Sequence, residues 1–272
     1  MQKLFNKVLV PVDFSEKSRK AVEKSLELAA EYQCSVHLLY VNRSCLTGPL
    51  ESESPKSHEM ACMGELEQLK NFVKTDPAIK IVYAVASGSW NESIMAYIEQ
   101  NHIDLVMIGQ ENNFFRRKEM RLNPNRIASK TNIPVITIPA NKRISKLCSI
   151  VIPVTDFLPV RKLIYGIYMG SKYSTTVKLL GVENEQTRAK VHYYLKKAYH
   201  LIRDNCALNV ELEVVPGNNV AEAINEYAMI SSADLVIVNP GCQSRMPGIF
   251  ASLFGNIIQK YSVPPVLTVN PD

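Results

Sequence analysis

The sequence lacks a long apolar run, and none approaches the roughly 18 residues that a membrane-spanning helix requires. Its first residues, Met1 to Lys7, lead almost directly into a strand pattern and leave no room for a secretory signal. We therefore expect a soluble, cytoplasmic protein that does not associate with a membrane.

A large excess of charge of one sign is also lacking. The chain has 31 basic and 26 acidic residues, a formal charge of +5 that is too small to predict nucleic-acid binding. Hydrophobic residues make up 46% and charged residues 21%, which is ordinary for a globular protein. These values predict a folded chain that does not bind nucleic acid.

Paired cysteines are missing as well. The six cysteines include no C-x-x-C pair, which favours reduced thiols over a disulfide framework. Cys45, His58 and Cys62 are the one cluster with metal-ligating side chains, but a metal site usually has about four ligands. We interpret this cluster as incidental and expect no metal.

Common catalytic and cofactor motifs are absent. The chain has no G-x-x-x-x-G-K-[ST] loop, no G-x-G-x-x-G after the first strand, no G-x-S-x-G elbow and no H-E-x-x-H pair. The five histidines are dispersed, and His37 lies within a strand pattern, where a core or edge role is favoured over that of a general base. These observations predict that the protein is not an enzyme.

Two aromatic groups have structural interpretations. Trp90 follows Gly88 and Ser89 at a predicted helix start, so we expect it to pack over the third helix. A long helix over 185–205 carries several large side chains, which we expect to be buried on the sheet or the other half of the chain. These side chains are Tyr193, Tyr194, Leu195 and Tyr199.

Four segments recur in the same order in the two halves of the chain. Residues 7–13 return as 149–155, 88–94 as 217–224, 103–108 as 233–238, and 132–138 as 262–269. The offset falls from 142 to 130 residues, which places about 12 extra residues in the first copy, within 44–63. We predict two tandem domains, residues 1–143 and 144–272, joined by a short polar linker.

Each copy alternates short β-branched runs with longer amphipathic segments. In the first copy the predicted strands are 8–12, 36–41, 79–86, 105–108 and 135–138, and Ser15 caps a helix that runs through Tyr32. Apolar strands that alternate with helices predict a parallel sheet covered on both faces. The fold class is therefore α/β, with two tandem doubly wound five-stranded domains.

Ligands of such sheets bind beyond the carboxyl ends of the strands, where the strand order reverses. The informative residues of the first copy should therefore follow its strands, at Asp13, Asn42, 87–89 and Gly109. In the second copy they are Thr155, Asn184, Gly217 and Asn239.

The run Val8-Leu-Val-Pro-Val-Asp-Phe-Ser-Glu-Lys-Ser18 resembles the opening of universal stress proteins, and 104–109 and 133–135 resemble later parts of that family. The resemblance covers nearly the whole chain and is clearer in the first copy. It implies a Rossmann-like domain of the adenine nucleotide alpha hydrolase type. It also implies that the tandem pair forms an intramolecular pseudo-dimer, and the whole chain is a candidate homodimer.

One branch of that family binds ATP through G-x-x-G followed further along by G-[ST], because glycines let backbone N–H groups approach phosphate oxygens. Gly109 matches the first glycine, but the second falls on Asn112 and the final pair falls in 121–124, which has no glycine. In the second copy, the first two glycines fall on Asn239 and Cys242. We predict that neither copy has an intact phosphate cradle.

The resemblance nevertheless implies a candidate nucleotide site in the first copy. Asp13 matches the family's acidic residue that faces the adenosine, and Val41 matches the position whose backbone meets the base. The candidate ligands are ATP and AMP, and the candidate residues are Pro11, Val12, Asp13, Val41, Ile108 and Gly109. Asp13 can equally act with Ser15 in helix capping, and its second-copy counterpart is Thr155, beside Asp156.

The segment 114–121 stands where the phosphate loop would lie and is locally basic. Its candidate anion-binding or partner-binding residues are Arg116, Arg117, Lys118 and Arg121. A solvated loop is the alternative interpretation.

Three functions remain under consideration. The leading one is a non-enzymatic stress-response module with degenerate nucleotide sites that acts through protein partners. The second is an adenine-nucleotide-binding regulator that uses the first copy only. A slow nucleotide hydrolase is the least favoured, because it needs a phosphate cradle and usually a metal.

Overall fold

A computed structural model of the chain describes residues 3–42, 60, 63–68, 78–110, 122–139, 146–240 and 264–271. The first half forms strands β1 (Lys7–Val12), β2 (Ser35–Asn42), β3 (Ile81–Ser87), β4 (Leu105–Gly109) and β5 (Val135–Ile138). Its helices are α1 (Glu16–Tyr32), α2 (63–68), α3 (Trp90–Asn101) and α4 (Pro124–Thr131). The predicted strands are confirmed, and the third begins two residues later than expected.

The second half repeats this alternation. Its strands are β6 (Ser149–Val154), β7 (Thr176–Glu183), β8 (Asn209–Pro216), β9 (Leu235–Val238) and β10 (Val266–Thr268). Its helices are α5 (Val160–Gly170), α6 (Arg188–Asn205) and α7 (Val220–Ile230). The helix predicted between β9 and β10 falls within 241–263, outside the described residues.

All ten strands belong to one sheet, in the order β3-β2-β1-β4-β5-β10-β9-β6-β7-β8. Each half is parallel, and the halves join where β10 pairs antiparallel with β5 through Val266 and Thr137. The second half therefore runs in the mirrored strand order of the first. The α/β prediction is confirmed, and the two predicted sheets are continuous.

One aspartate in each half fastens the start of the first strand to the start of the fourth. Asp104 Oδ2 accepts the backbone N–H groups of Asn6 and Lys7 at 2.8 and 3.0 Å. Asp234 Oδ2 accepts those of Cys148 and Ser149 at 2.8 and 2.9 Å. These charge-assisted bonds give the repeated Asp-Leu-Val segments a structural reason.

One hydrophobic core extends across both halves on the face covered by α1, α2, α5 and α6. Phe5 is fully buried there and stacks on Tyr165, with ring centroids 5.9 Å apart. The Tyr32 hydroxyl donates to the Met169 carbonyl oxygen at 2.8 Å, so α1 and α5 meet near their C-termini. Two separate clusters lie on the opposite face, one under α3 and α4 and one under α7.

Arg161 at the start of α5 also links the two halves through backbone oxygens. It donates to the carbonyl oxygens of Asn132 and Asn270 at 3.1 and 3.2 Å. The predicted division after residue 143 falls within 140–145, outside the described residues, and stays a prediction. Of the helices that the structure describes, none has the length and apolarity to cross a membrane.

Candidate functional site

The carboxyl edge of the sheet opens between the first and fourth strands of each half. β1 pairs with β4 only at Val8 and Leu9, whereas it pairs with β2 along its whole length. β6 likewise pairs with β9 only at Ile150 and Val151. The strands separate beyond these residues and form a crevice at the switch point, where doubly wound proteins bind ligands.

A proline stands in the separating part of each first strand. Pro11 in β1 and Pro153 in β6 have no backbone N–H and cannot donate a ladder hydrogen bond. No ladder hydrogen bond is lost, because at these positions the first strand no longer pairs with the fourth. We define the first crevice as the opening between β1 and β4, and the second as the opening between β6 and β9.

Asp13 follows β1 at the rim of the first crevice and is half-buried. Its Oδ1 accepts the Ser15 backbone N–H at 3.1 Å and also the Ser15 hydroxyl. Ser15 in turn caps α1 by accepting the Ser18 N–H at 3.4 Å. The capping interpretation of Asp13 is confirmed, and nucleoside contact stays a prediction.

The chain turns from β1 into α1 through Phe14, whose φ of 57° lies in the left-handed region. The Phe14 ring lies 4.9 Å from the Tyr40 ring on β2, centroid to centroid. This contact places an aromatic pair beside Asp13. This turn is not predictable from the local sequence, because a positive φ is uncommon for a phenylalanine.

Gly109, at the end of β4, has a packing role. A Cβ atom at this position would lie 2.5 Å from the Lys17 carbonyl oxygen in α1. Only a residue without a side chain lets the two backbones approach so closely. The close contact with α1 is therefore a sufficient reason for a glycine at position 109, even without a ligand.

The other candidate residues are brought together at the first crevice but are buried. Val12 packs in the core under α1, and Val41 and Ile108 pack in the cluster under α3. Pro11 is also buried. Their side chains stabilise the core, so contact with a ligand at this edge would be left to their backbone atoms.

The second crevice contains a charged side chain that the sequence analysis missed. Lys162 is only 4% exposed, and its Nζ donates to the Pro153 carbonyl oxygen at 2.6 Å. The ammonium also lies 5.9 Å from the centroid of the Phe157 ring. Helical periodicity could have revealed this burial, because Lys162 lies on the same buried stripe of α5 as Gly166 and Met169.

The first buried residue of the helix after the first strand differs between the two halves. In α5 it is Lys162, and in α1 it is Ser18. The Ser18 hydroxyl donates to the Ser15 carbonyl oxygen at 3.0 Å within its own turn. The first turn of α5 thus buries a lysine that reaches a strand end, whereas the first turn of α1 buries a short hydroxyl side chain.

The glycine after the third strand makes an equivalent backbone hydrogen bond in both halves. Gly88 N–H donates to the Asn42 carbonyl oxygen at 3.0 Å, and Gly217 N–H donates to the Glu183 carbonyl oxygen at 2.9 Å. The predicted edge residues Thr155, Asn184, Gly217 and Asn239 each follow a strand, as expected.

Residues 4–139, half of the chain, match the family model described as the universal stress protein family. The chain belongs to the universal stress protein family. No curated protein sequence matches the chain. The family assignment therefore rests on the first half, and the second half is connected to it by the repeated segments and mirrored strand order.

Solved structures resemble the whole chain of this universal stress protein. One is a universal stress protein from Archaeoglobus fulgidus DSM 4304, with 16% identity, a TM-score of 0.68 and coverage of 98% of both chains. A functionally unknown protein from Pseudomonas aeruginosa PAO1 has 15% identity and a TM-score of 0.61, with coverage of 98% of this chain and 93% of that one. The cytoplasmic domain of a prokaryotic cation chloride cotransporter has 13% identity and a TM-score of 0.53, with coverage of 98% and 96%. At these identities the likeness shows the fold.

Several predicted groups of this universal stress protein lie outside the described residues. They are the basic segment with Arg116, Arg117, Lys118 and Arg121, and the cluster Cys45, His58 and Cys62. Within the part of the chain that the structure describes, no group of three or more His, Cys, Asp or Glu residues could hold a metal ion. The described cysteines, Cys34, Cys148 and Cys206, are free thiols.

The core interpretation of His37 is confirmed. His37 is buried, and its Nδ1 lies 2.9 Å from the Tyr97 hydroxyl oxygen. Burial lowers the pKa of His37, and the positive charges of Lys7 and Lys80 lower it further. Trp90 packs against the cluster under α3, as predicted.

The prediction for the α6 aromatics is partly wrong. Leu195 is buried, and Tyr194 and Tyr199 pack partly against the main core. Tyr193 is instead 54% exposed, and the Lys197 ammonium lies 4.5 Å from its ring centroid. The helix begins at Arg188, later than expected, and Tyr193 lies outside the buried stripe of Val191, Leu195 and Ala198.

Proposed function

We propose that the protein is a non-enzymatic, cytoplasmic stress-response module that acts through protein partners and whose nucleotide sites have degenerated. Membership of the universal stress protein family supports the role in stress response. The observation that carries the proposal is the buried Lys162 ammonium in the second crevice.

The position of Lys162 works against a ligand in the second crevice. A hydrogen bond to a charged group contributes about 1.5–3 kcal/mol, and a ligand that displaced the ammonium would lose this bond. The Pro153 carbonyl oxygen would then need another donor inside a buried site. The second half is in this way closed by its own side chain.

The first crevice supports the non-enzymatic part of the proposal less directly. Asp13 is engaged with Ser15 in the α1 cap, so its carboxylate already has a structural task. His37, a possible proton carrier by residue type, is held in the core beside Tyr97. Neither group is arranged as a general base at the crevice.

A second candidate function is an adenine-nucleotide regulator that uses the first crevice alone. The difference between Ser18 and Lys162 favours it, because the first buried residue of α1 is a short serine bonded within its own turn and not a lysine that reaches a strand end. Asp13 lies at the rim, and the backbones of Val41 and Gly109 reach the same edge. ATP and AMP are the ligands to test.

The test is a calorimetric titration of protein stripped of ligand with ATP, ADP and AMP. We expect no saturable heat up to millimolar nucleotide. Saturable micromolar binding that Asp13→Ala abolishes would replace the main proposal with the second candidate.

The control is Ser15→Ala, which removes the partner of Asp13 in the cap but keeps the carboxylate. A nucleotide site that needs the Asp13 charge survives Ser15→Ala and is lost in Asp13→Ala. Binding lost in both variants would instead report damage to the start of α1.

A further inference from the structure

Strand β8 forms one end of the ten-stranded sheet and is open along its length. It pairs with β7 through eight consecutive partners, from Thr176 with Asn209 to Glu183 with Pro216. In the described part of the chain, no strand pairs with its other side. At the opposite end of the sheet, β3 is mostly half-buried, whereas β8 is mostly exposed. An exposed edge of this kind presents unpaired N–H and C=O groups.

The usual protection of an edge strand is weak in β8. Its register with β7 is unbroken, it contains no lysine, and its single proline, Pro216, is its last residue. Natural edge strands are commonly shielded by charged side chains, especially lysine, by proline or by a bulge within the strand, and β8 has only the charges of Glu211 and Glu213. The backbone of β8 is therefore suited to accept another strand.

The two faces of β8 differ in chemistry because successive side chains alternate. Val210, Leu212 and Val214 lie on the α6 face, where Val210 packs against the main core. Leu212 and Val214 are nevertheless 41% and 37% exposed. The α6 face of this edge is thus apolar and only partly covered.

The α7 face of β8 is acidic. Glu211 and Glu213 lie there with Val215, which packs against the cluster under α7. Burial raises the pKa of Tyr227 to about 12, and the nearby negative charges of Glu213 and Glu211 contribute to that rise. Lys178 on β7 lies 3.9 Å from Glu211, so the charge of Glu211 is partly paired within the sheet.

These charges disfavour a second copy of the chain as the occupant. Two β8 strands related by a twofold axis would pair antiparallel, with residues of the same face opposite one another. Glu211 or Glu213 would then face a glutamate of the other copy in the central registers. Like charges directly opposite each other destabilise a strand pair.

We propose that the open edge of β8 binds an extended segment of a protein partner in which Lys or Arg alternates with apolar residues. The segment's backbone would pair with β8, its basic side chains would meet Glu211 and Glu213, and its apolar side chains would cover Leu212 and Val214. This inference rests on the proposed function in one respect, because that function acts through protein partners and the inference specifies the kind of partner.

The experiment uses the full chain and fluorescently labelled peptides of the length of β8. The first peptide alternates Lys and Val, the second alternates Glu and Val, and the third is the Lys-Val peptide with every backbone nitrogen methylated. Binding is followed by fluorescence anisotropy. We expect saturable binding of the Lys-Val peptide alone, because the second peptide has the wrong charge and the third lacks backbone donors.

Two charge-matched variants locate the site. Glu211→Gln with Glu213→Gln should weaken the Lys-Val peptide about tenfold or more, as expected for the loss of charge-assisted pairs. Glu92→Gln with Glu99→Gln changes the charge equally on α3 in the first half and should leave affinity within about twofold. Leu212→Lys, at an exposed position, should also abolish binding without unfolding the chain.

Equal affinity of the wild type and the Glu211/Glu213 variant would overturn the inference, as would full binding of the N-methylated peptide. Sedimentation that shows a dimer abolished by Leu212→Lys would also overturn it, since a second copy would then occupy the edge. The nucleotide titration does not involve β8. A failure of the peptide experiment is therefore distinguishable from a failure of the proposed function.

Discussion

Gly109 illustrates how one residue can match a ligand motif and still be required by packing. Its α-carbon lies where β4 passes the first turn of α1, and a Cβ there would collide with the Lys17 backbone. A backbone atom cannot turn aside as a side chain can. Adding a methyl group at this position should therefore lower the stability of the protein, whether or not a ligand is bound.

We predict that Gly109→Ala lowers the free energy of unfolding by about 1–3 kcal/mol, as is typical of overpacking. Urea unfolding followed by circular dichroism measures the change. The control is Gly64→Ala in α2, where a Cβ meets no atom within 4 Å. That substitution should be neutral or stabilise the protein by up to about 1 kcal/mol. Equal effects of the two substitutions would contradict the packing role of Gly109.

At the scale of single elements, the starts of α1 and α3 contrast. Both helices have a serine N-cap with extended backbone. The Ser15 side chain accepts the Ser18 N–H and donates to Asp13, whereas the Ser89 side chain makes no capping hydrogen bond. The same residue type should therefore contribute differently in the two positions.

Ser15→Ala should lower the free energy of unfolding by about 1 kcal/mol, because the first turn of α1 loses its cap. Ser89→Ala should change it by less than about 0.5 kcal/mol. Chemical denaturation of both variants under the same conditions provides the comparison. A larger loss from Ser89→Ala would show that the described cap geometry is not the source of the stability.

The elements were largely predictable from the sequence, and the reasons are local. Apolar β-branched runs defined β1, β2, β4 and β5 to within a residue or so, and Ser15 marked the start of α1. The crevice contents were less predictable, because they depend on which strands are neighbours. Lys162 is adjacent in sequence to Arg161, yet one is buried at a strand end and the other bonds across the junction.

The open edge of β8 was also beyond sequence reasoning. Its alternation of apolar and acidic residues fits a strand with two different faces, but the pattern does not reveal whether a neighbour lies on each side. That property follows from the strand order of the whole sheet. The positive φ of Phe14 was missed as well, since that conformation is uncommon for a residue with a large side chain.

At the scale of the whole molecule, the two halves share one core. Phe5 in the first half contacts Tyr165 and Tyr168 in the second, and the Tyr32 hydroxyl binds the Met169 carbonyl oxygen. The sheet is continuous through β5 and β10. A protein joined in this way should unfold as a single cooperative unit rather than as two domains.

This cooperativity can be tested with Trp90, the sole tryptophan of the chain, which lies in the first half. Its fluorescence and the far-ultraviolet circular dichroism of both halves should give coincident unfolding transitions. Phe5→Ala should shift both together and lower the free energy of unfolding by about 3–5 kcal/mol.

The matched control is Ile230→Ala, at a side chain that is 74% exposed, which should change the free energy by less than about 0.5 kcal/mol. Two separated transitions, or a Phe5→Ala shift seen only in the fluorescence of Trp90, would mean that the halves unfold independently despite their shared core.

The antiparallel junction of β5 with β10 joins both halves in one chain, so the two halves can evolve independently. In an assembly of two identical chains, every substitution appears twice, once on each side of the symmetry axis. Here the two sides are encoded separately, so one mutation alters one side alone. That independence allows a lysine to be buried in the first turn of α5 while a serine is buried in the first turn of α1, and allows one edge strand of the sheet to be exposed while the other is half-buried.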